Sequence, residues 1–216
     1  MKPYPCAIAL ITTTLLCASA VAQPSGQIPS ISMGIVLDTS GSMGTRLARA
    51  RQLVSALLKL TGPLDEFALI QASDRPVVVS GYGSTADALQ TQVGFMQSKG
   101  RSAVLDGIYM GLQVSKAGHN ACKVLLVISD GGENSSRYTE TEIKNAIAET
   151  GVRVYVVGAD EAIAGRGRSP EEVAGQAVLL QIAERGGGRY FGMERNTNLP
   201  EAALELISAM RAPLRP

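Results

Sequence analysis

Residues 31–37, 123–129 and 152–157 read ISMGIVL, KVLLVIS and VRVYVV, three runs that are apolar at almost every consecutive position. Successive side chains of a strand point to opposite faces, so a strand of this kind has both faces covered. Between the runs lie segments of helical period. Leu47, Ala50, Val54 and Leu57 share one face, as do Leu105, Ile108 and Leu112. Strands alternating with helices predict an α/β architecture: a doubly wound, mainly parallel sheet flanked by helices and joined by crossovers.

The remaining elements follow from local signals. Residues 67–72 and 77–79 are short strand-like runs, and 86–96 and 103–114 have helical character. Thr139-Glu140-Thr141-Glu142 and Ser169-Pro170-Glu171-Glu172 are capping-box patterns, each predicting a helix start. Gly186-Gly187-Gly188 stops the second of these helices. Arg189-Tyr190-Phe191 reads as a last strand, and Asn198-Leu199-Pro200-Glu201 opens a last helix carrying Ala203, Leu206, Ile207 and Met210 on one face.

The first residues have a different composition. Lys2, an apolar run from Cys6 to Leu16 and the small-residue end Ala20-Val21-Ala22 form a signal-peptide pattern, predicting export and cleavage before Gln23. A lipidated form anchored at Cys17 would want a small residue where Leu16 stands. The expected organisation is a signal peptide over 1–22, a Pro/Ser/Gly-rich linker over 23–30, one domain over 31–211 and a tail over 212–216. The predicted destination is periplasmic or extracellular.

The full chain has 20 basic and 19 acidic residues. Such balance gives no argument for nucleic acid or an anionic membrane as partner. Of the three cysteines, only Cys122 lies beyond the signal, so no intramolecular disulfide is expected, and this thiol reads as a small buried hydrophobe.

In sheets of this class ligands sit beyond the carboxyl ends of the strands. After the first apolar run comes Asp38-Thr39-Ser40-Gly41-Ser42, and after the run ending at Ser129 comes Asp130-Gly131-Gly132-Glu133. Gly100-Arg101-Ser102 precedes the helix at 103. Two carboxylates and three hydroxyls are thus expected at one edge of the sheet. Oxygen-only donors with room for water suit Mg²⁺, Mn²⁺ or Ca²⁺ rather than Zn²⁺. Any one of these residues alone would serve equally well as an ordinary cap or turn residue.

Asp38-Thr39-Ser40-Gly41-Ser42-Met43 resembles the D-x-S-x-S signature of von Willebrand factor type A domains. Gly100-Arg101-Ser102-Ala103-Val104-Leu105-Asp106 is similar to that family's G-x-T-A-L-x-D stretch, with Ser102 at the Thr position. Val127-Ile128-Ser129-Asp130-Gly131 is similar to its V-L-I-T-D-G strand end. The segment 182–191 resembles its late helix-turn-strand, and the likeness extends over residues 31–211. The resemblance implies a metal-ion-dependent adhesion site made by Asp38, Ser40, Ser42, Ser102 and Asp130, holding Mg²⁺ or else Ca²⁺ or Mn²⁺. It further implies an open coordination position that accepts an acidic residue from a protein partner. Ser102 departs from the pattern; it keeps the hydroxyl but lacks the methyl that would restrain its rotation.

A non-enzymatic binding domain is therefore the expected function. The alternatives are a metal-dependent hydrolase using the same carboxylates, which lacks an evident general base, and a structural subunit with a vestigial metal site. An aspartic protease would need a second D-T-G-S-like copy, and a serine hydrolase would have to use His119, the single histidine. Gly81-Tyr82-Gly83-Ser84-Thr85-Ala86 has the dinucleotide-fingerprint spacing but in the wrong context, and reads as a Gly-rich turn. Asp106 is expected to be a solvated or packing residue, Glu133 a surface charge on the rim and His119 a solvated loop residue. Arg166 and Arg168 are expected in a basic surface loop.

Overall fold

In the computed structural model, which describes residues 29–159 and 169–213, thirteen segments follow one another along the chain. They are β1 (Ile31–Asp38), a single 3-10 turn (Gly41–Met43), α1 (Leu47–Leu58), β2 (Glu66–Ala72), β3 (Val77–Ser84), α2 (Ala86–Phe95) and α3 (Val104–Ser115). Then come β4 (Cys122–Ser129), α4 (Glu140–Thr150), β5 (Arg153–Gly158), α5 (Pro170–Arg185), β6 (Tyr190–Gly192) and α6 (Leu199–Arg211). The expected signal peptide, most of the linker, Arg166, Arg168 and the last residues of the tail lie outside the described residues.

The strands form one sheet in the order β3-β2-β1-β4-β5-β6, parallel throughout except for β2 with β3. Two-sided burial of the apolar runs takes the expected form. Met33, Ile35 and Leu37 of β1, with Val124, Leu126 and Ile128 of β4, pack under α1, α2 and α6. Val36, Leu125 and Val127 point the other way, under α3, α4 and α5. Each of these aliphatic side chains contributes about 2 kcal/mol by leaving water. From β1 the chain passes first to β2 and β3 on one side, then to β4, β5 and β6 on the other. The reversal places a switch point between β1 and β4, where Leu37 lies opposite Ile128 and the strands end in Asp38 and Ser129.

Local signals and structure agree at the helix starts. Thr139 and Ser169 each form a complete capping box, with Glu142 and Glu172 as the reciprocal partners, and Pro170 occupies the first turn of α5. Asn198 precedes α6 without a side-chain cap bond.

The expected Gly-rich turn is replaced by strand. β3 runs on through Gly81-Tyr82-Gly83-Ser84, with register shifts against β2 between Phe67 and Leu69 and between Leu69 and Ile70. An edge strand tolerates glycines and irregular pairing because only one side of its ladder is shared. The opposite edge, β6, is three residues long.

At the end of the sheet away from the switch point, Glu66 gathers the amide and ring of His119, the hydroxyl of Ser32 and the amide of Asn120. Burial raises the Glu66 carboxyl, but these hydrogen bonds outweigh it and hold it at about 2. His119, expected to be merely solvated, has an exposed ring whose Nδ1 lies 2.9 Å from Glu66 Oε2. Cys122 is half-buried rather than buried, beside the Arg153 guanidinium and the Met210 carbonyl. Among the described residues no helix is long and apolar enough to cross a membrane.

Candidate metal centre

The loop after β1 is fixed by its backbone before its side chains are considered. Thr39 N–H donates to the Ala72 carbonyl at 2.8 Å, Gly41 N–H to the Gly100 carbonyl at 2.9 Å, and Lys99 N–H to the Thr39 carbonyl at 2.8 Å. The first loop is thereby stitched to the second. Asn134 joins the second loop to the third: its side-chain oxygen accepts from Ser102 N–H at 3.0 Å, and its own N–H donates to the Ser102 carbonyl at 3.1 Å.

On this frame the five residues expected from the sequence come together. Asp38 Oδ1 accepts from Ser40 N–H at 2.8 Å, while Oδ2 accepts from Ser102 Oγ at 3.3 Å and Ser129 Oγ at 2.7 Å. Ser40 Oγ and Ser42 Oγ are 3.0 Å apart. Asp130 Oδ1 accepts from Gly132 N–H at 3.0 Å, and a Cβ placed on Gly132 would lie 3.1 Å from Asp130 Oδ1 and 3.2 Å from Ser42 Oγ. Asp38, Ser40, Ser102 and Asp130 are buried and Ser42 is exposed, so the cluster has a single exposed hydroxyl as its lip.

Burial is the largest influence on Asp38 and pushes its carboxyl up to about 6. Hydrogen bonds from Ser129 and Ser40 oppose the rise, and the charge of Asp130 adds to it. A carboxylate so buried gains from a nearby cation, and the donor set suits a hard one. The Ser40 and Ser42 hydroxyls are hydrogen-bonded to each other at 3.0 Å, close enough to serve one ion together. Among the described residues no three His, Cys, Asp or Glu side chains converge on one point. Any ion here would rest on two carboxylates and on hydroxyls, a set suited to a hard cation that retains water.

Four residues near the centre escaped the sequence. Ser129 stands beside Asp38 because β4 runs in register with β1, and that register is the signal that would have found it. Asn134 joins two loops, as above. Arg46 has no sequence signal and Glu172 is announced only as the reciprocal residue of a capping box, yet Arg46 Nη1 donates to Asp130 Oδ2 at 2.6 Å and to Glu172 Oε1 at 3.0 Å.

Glu133, expected as a surface charge on the rim, is instead a structural anchor. Its carboxylate accepts from Leu105 N–H at 3.0 Å, from Ser135 N–H at 3.1 Å, and from the amide and hydroxyl of Ser136 at 2.9 and 2.7 Å. It satisfies an otherwise orphaned donor at the start of α3 and folds the third loop around itself. Asp106 is a packing residue; buried, it accepts from Arg137 N–H at 2.7 Å and Tyr138 N–H at 3.0 Å, which presents Tyr138 to stack on Tyr109.

Residues 33–204 match the von Willebrand factor type A domain, and the chain belongs to that family. Solved structures agree on the fold. An aerotolerance-related membrane protein from Bacteroides fragilis is 18% identical, with a TM-score of 0.68 over 84% of this chain and 98% of that one. The conserved hypothetical protein BatB from Bacteroides thetaiotaomicron is 19% identical, with a TM-score of 0.65 over 84% and 98%. The vWF domain of the type V pili tip protein Mfa5 from Porphyromonas gingivalis is 10% identical, with a TM-score of 0.62 over 88% and 98%. No curated protein sequence matches the chain significantly.

Proposed function

We propose that the chain is an exported protein-binding domain. It holds one divalent ion, Mg²⁺ in preference to Ca²⁺ or Mn²⁺, on Asp38, Ser40, Ser42, Ser102 and Asp130. It offers the ion's open position to an acidic side chain of a protein partner. The observation that carries this reading is the convergence of two buried carboxylates with the hydroxyls of Ser40 and Ser102, beneath the exposed Ser42. Membership of the von Willebrand factor type A family and similarity to a pilus-tip domain support a role in protein interaction. Export rests on the signal-peptide pattern ending at Ala22.

The position of His119 favours binding over hydrolysis. The single histidine lies with Glu66 at the far end of β4 from Asp130. Eight strand residues, at about 3.3 Å each, put roughly 25 Å between it and the carboxylates. A general base has to reach within hydrogen-bond distance of its proton, and this imidazole does not.

An ion that binds only the folded state stabilises it by about 2.7 kcal/mol at a hundredfold excess over its dissociation constant. The melting temperature should therefore rise with Mg²⁺, and Asp130→Asn should remove the rise. Capture of a partner from the cell envelope should be lost in chelator. Binding that survives both chelator and Asp130→Asn would refute the metal-bridged contact, and turnover of a substrate that Asp38→Ala abolishes would establish the hydrolase instead. For export, the intact mass of the secreted chain is expected to begin at Gln23; a cytoplasmic product retaining Met1 would overturn that part alone.

A further inference from the structure

Arg46 is 3% exposed and is held in two buried ion pairs. Nη1 donates to Asp130 Oδ2 at 2.6 Å, to Glu172 Oε1 at 3.0 Å and to the Ser42 carbonyl at 3.2 Å. One cation thus stands between a carboxylate of the third loop and a carboxylate in the first turn of α5. The same two segments also touch backbone to backbone. Gly131, at φ +86°, lies so close to α5 that an added Cβ would be 2.8 Å from both the Glu172 carbonyl oxygen and Gln176 N. Loop and helix are therefore joined twice, through Arg46 and through Gly131.

Asp130 divides its oxygens between two directions. Oδ1 is held by Gly132 N–H near Ser42, and Oδ2 is held by Arg46. In a buried setting a fixed positive charge at hydrogen-bond distance works against a second cation on the same carboxylate. Without that charge, Asp130 and Glu172 would face each other as like charges, a costly arrangement inside a protein.

We propose, on the reading that Asp130 takes part in a divalent-metal centre, that Arg46 is the centre's built-in counter-cation. It holds Asp130 and Glu172 in the metal-free protein and limits the affinity for the ion. It also links metal occupancy to the seating of the first turn of α5. When an ion draws on Asp130, the balance of the guanidinium shifts toward Glu172. Arg46 is a positioning residue in this scheme and makes no contact with a partner.

The test uses the full chain. In calorimetric titration with Mg²⁺, Arg46→Met should bind about tenfold more tightly than the parent, since one opposing charge is gone. Glu172→Gln should bind several-fold more weakly, because the guanidinium's charge is left to Asp130. A merely structural Arg46 would weaken binding in both variants. Arg46→Lys, which keeps the charge, should stay within about threefold of the parent. Hydrogen exchange of amides 173–176 should change on adding Mg²⁺ to the parent and not to Arg46→Met.

In chelator, Arg46→Met should melt about 10 °C lower, and adding Asp130→Asn should recover a large part of that loss by removing the like-charge pair. Weaker Mg²⁺ binding by Arg46→Met overturns the proposal. So does a double variant that melts no higher than Arg46→Met or stays unfolded. A parent that neither gives heat with Mg²⁺ nor melts higher in it refutes the metal reading alone, since the chelator arm still decides whether Arg46 is the counter-cation of Asp130 and Glu172.

Discussion

Asp38→Asn is expected to raise the stability of the metal-free protein at pH 7 by about 3 kcal/mol while abolishing its response to Mg²⁺. Burial pushes the carboxyl up to about 6 from its ordinary value of 3.8. The folded state therefore binds this proton more readily than the unfolded state. Below the unfolded value both states are protonated and no penalty exists. The penalty grows as pH rises from about 3.8 to about 6 and is complete at pH 7. The metal-free parent should accordingly gain stability as pH is lowered from 7 toward 4, and Asp38→Asn should lose that dependence. Asparagine preserves the shape: its oxygen can accept from Ser40 N–H, and its amide can donate to Ser129 Oγ. Urea denaturation in chelator at pH 7 and pH 5 measures both quantities. A variant less stable than the parent at pH 7 in chelator would show that the buried carboxylate is already well compensated by its hydroxyls.

Gly175→Ala is expected to have an effect of similar size and opposite sign, a loss of about 3 kcal/mol. A Cβ at Gly175 would sit 1.7 Å from the Gly131 carbonyl oxygen and 2.7 Å from its carbon. Both are backbone atoms of the loop that carries Asp130, so no side-chain rotation relieves the clash. Helix α5 has to back away, and Glu172 moves with it from Arg46. The Mg²⁺-induced rise in melting temperature should shrink along with the stability. Gly94→Ala in α2 is the control: nothing lies within 4 Å of the added carbon, and the reduced freedom of the unfolded chain should yield a gain of about 0.5 kcal/mol. Equal melting temperatures for the two variants would show that α5 yields freely at Gly131.

Much of the fold was legible because the sequence repeats the same statement at several levels. Apolar runs at 31–37, 123–129 and 152–157 became three adjacent parallel strands, β1, β4 and β5, with little change of boundary. The capping boxes at Thr139 and Ser169 formed as written. The candidate cluster was legible for a related reason: Asp38, Ser102 and Asp130 each follow or precede a strongly patterned element, and parallel strands bring such positions to one edge. The rest depended on pairings between distant segments. The glycines of β3 look like a turn until β2 is present to pair with them. Glu133 looks like rim charge until the amides of Leu105, Ser135 and Ser136 point at it. Arg46 and Glu172 are 126 residues apart, and nothing local to either announces a buried ion pair.

The two borders of the sheet bear on how such a domain behaves when crowded. An exposed strand with a long, regular row of unpaired amides and carbonyls is a template for another chain, and the outcome is uncontrolled polymerisation. Here one border is β3, whose pairing slips twice and whose sequence contains Gly81 and Gly83, and the other is β6, with only three residues to offer. Neither provides the flat stretch that strand addition requires. The irregular pairing of β3 and the shortness of β6 thus disfavour strand addition, and Val77 and Val78, exposed on β3, are the residues at which it would have to begin.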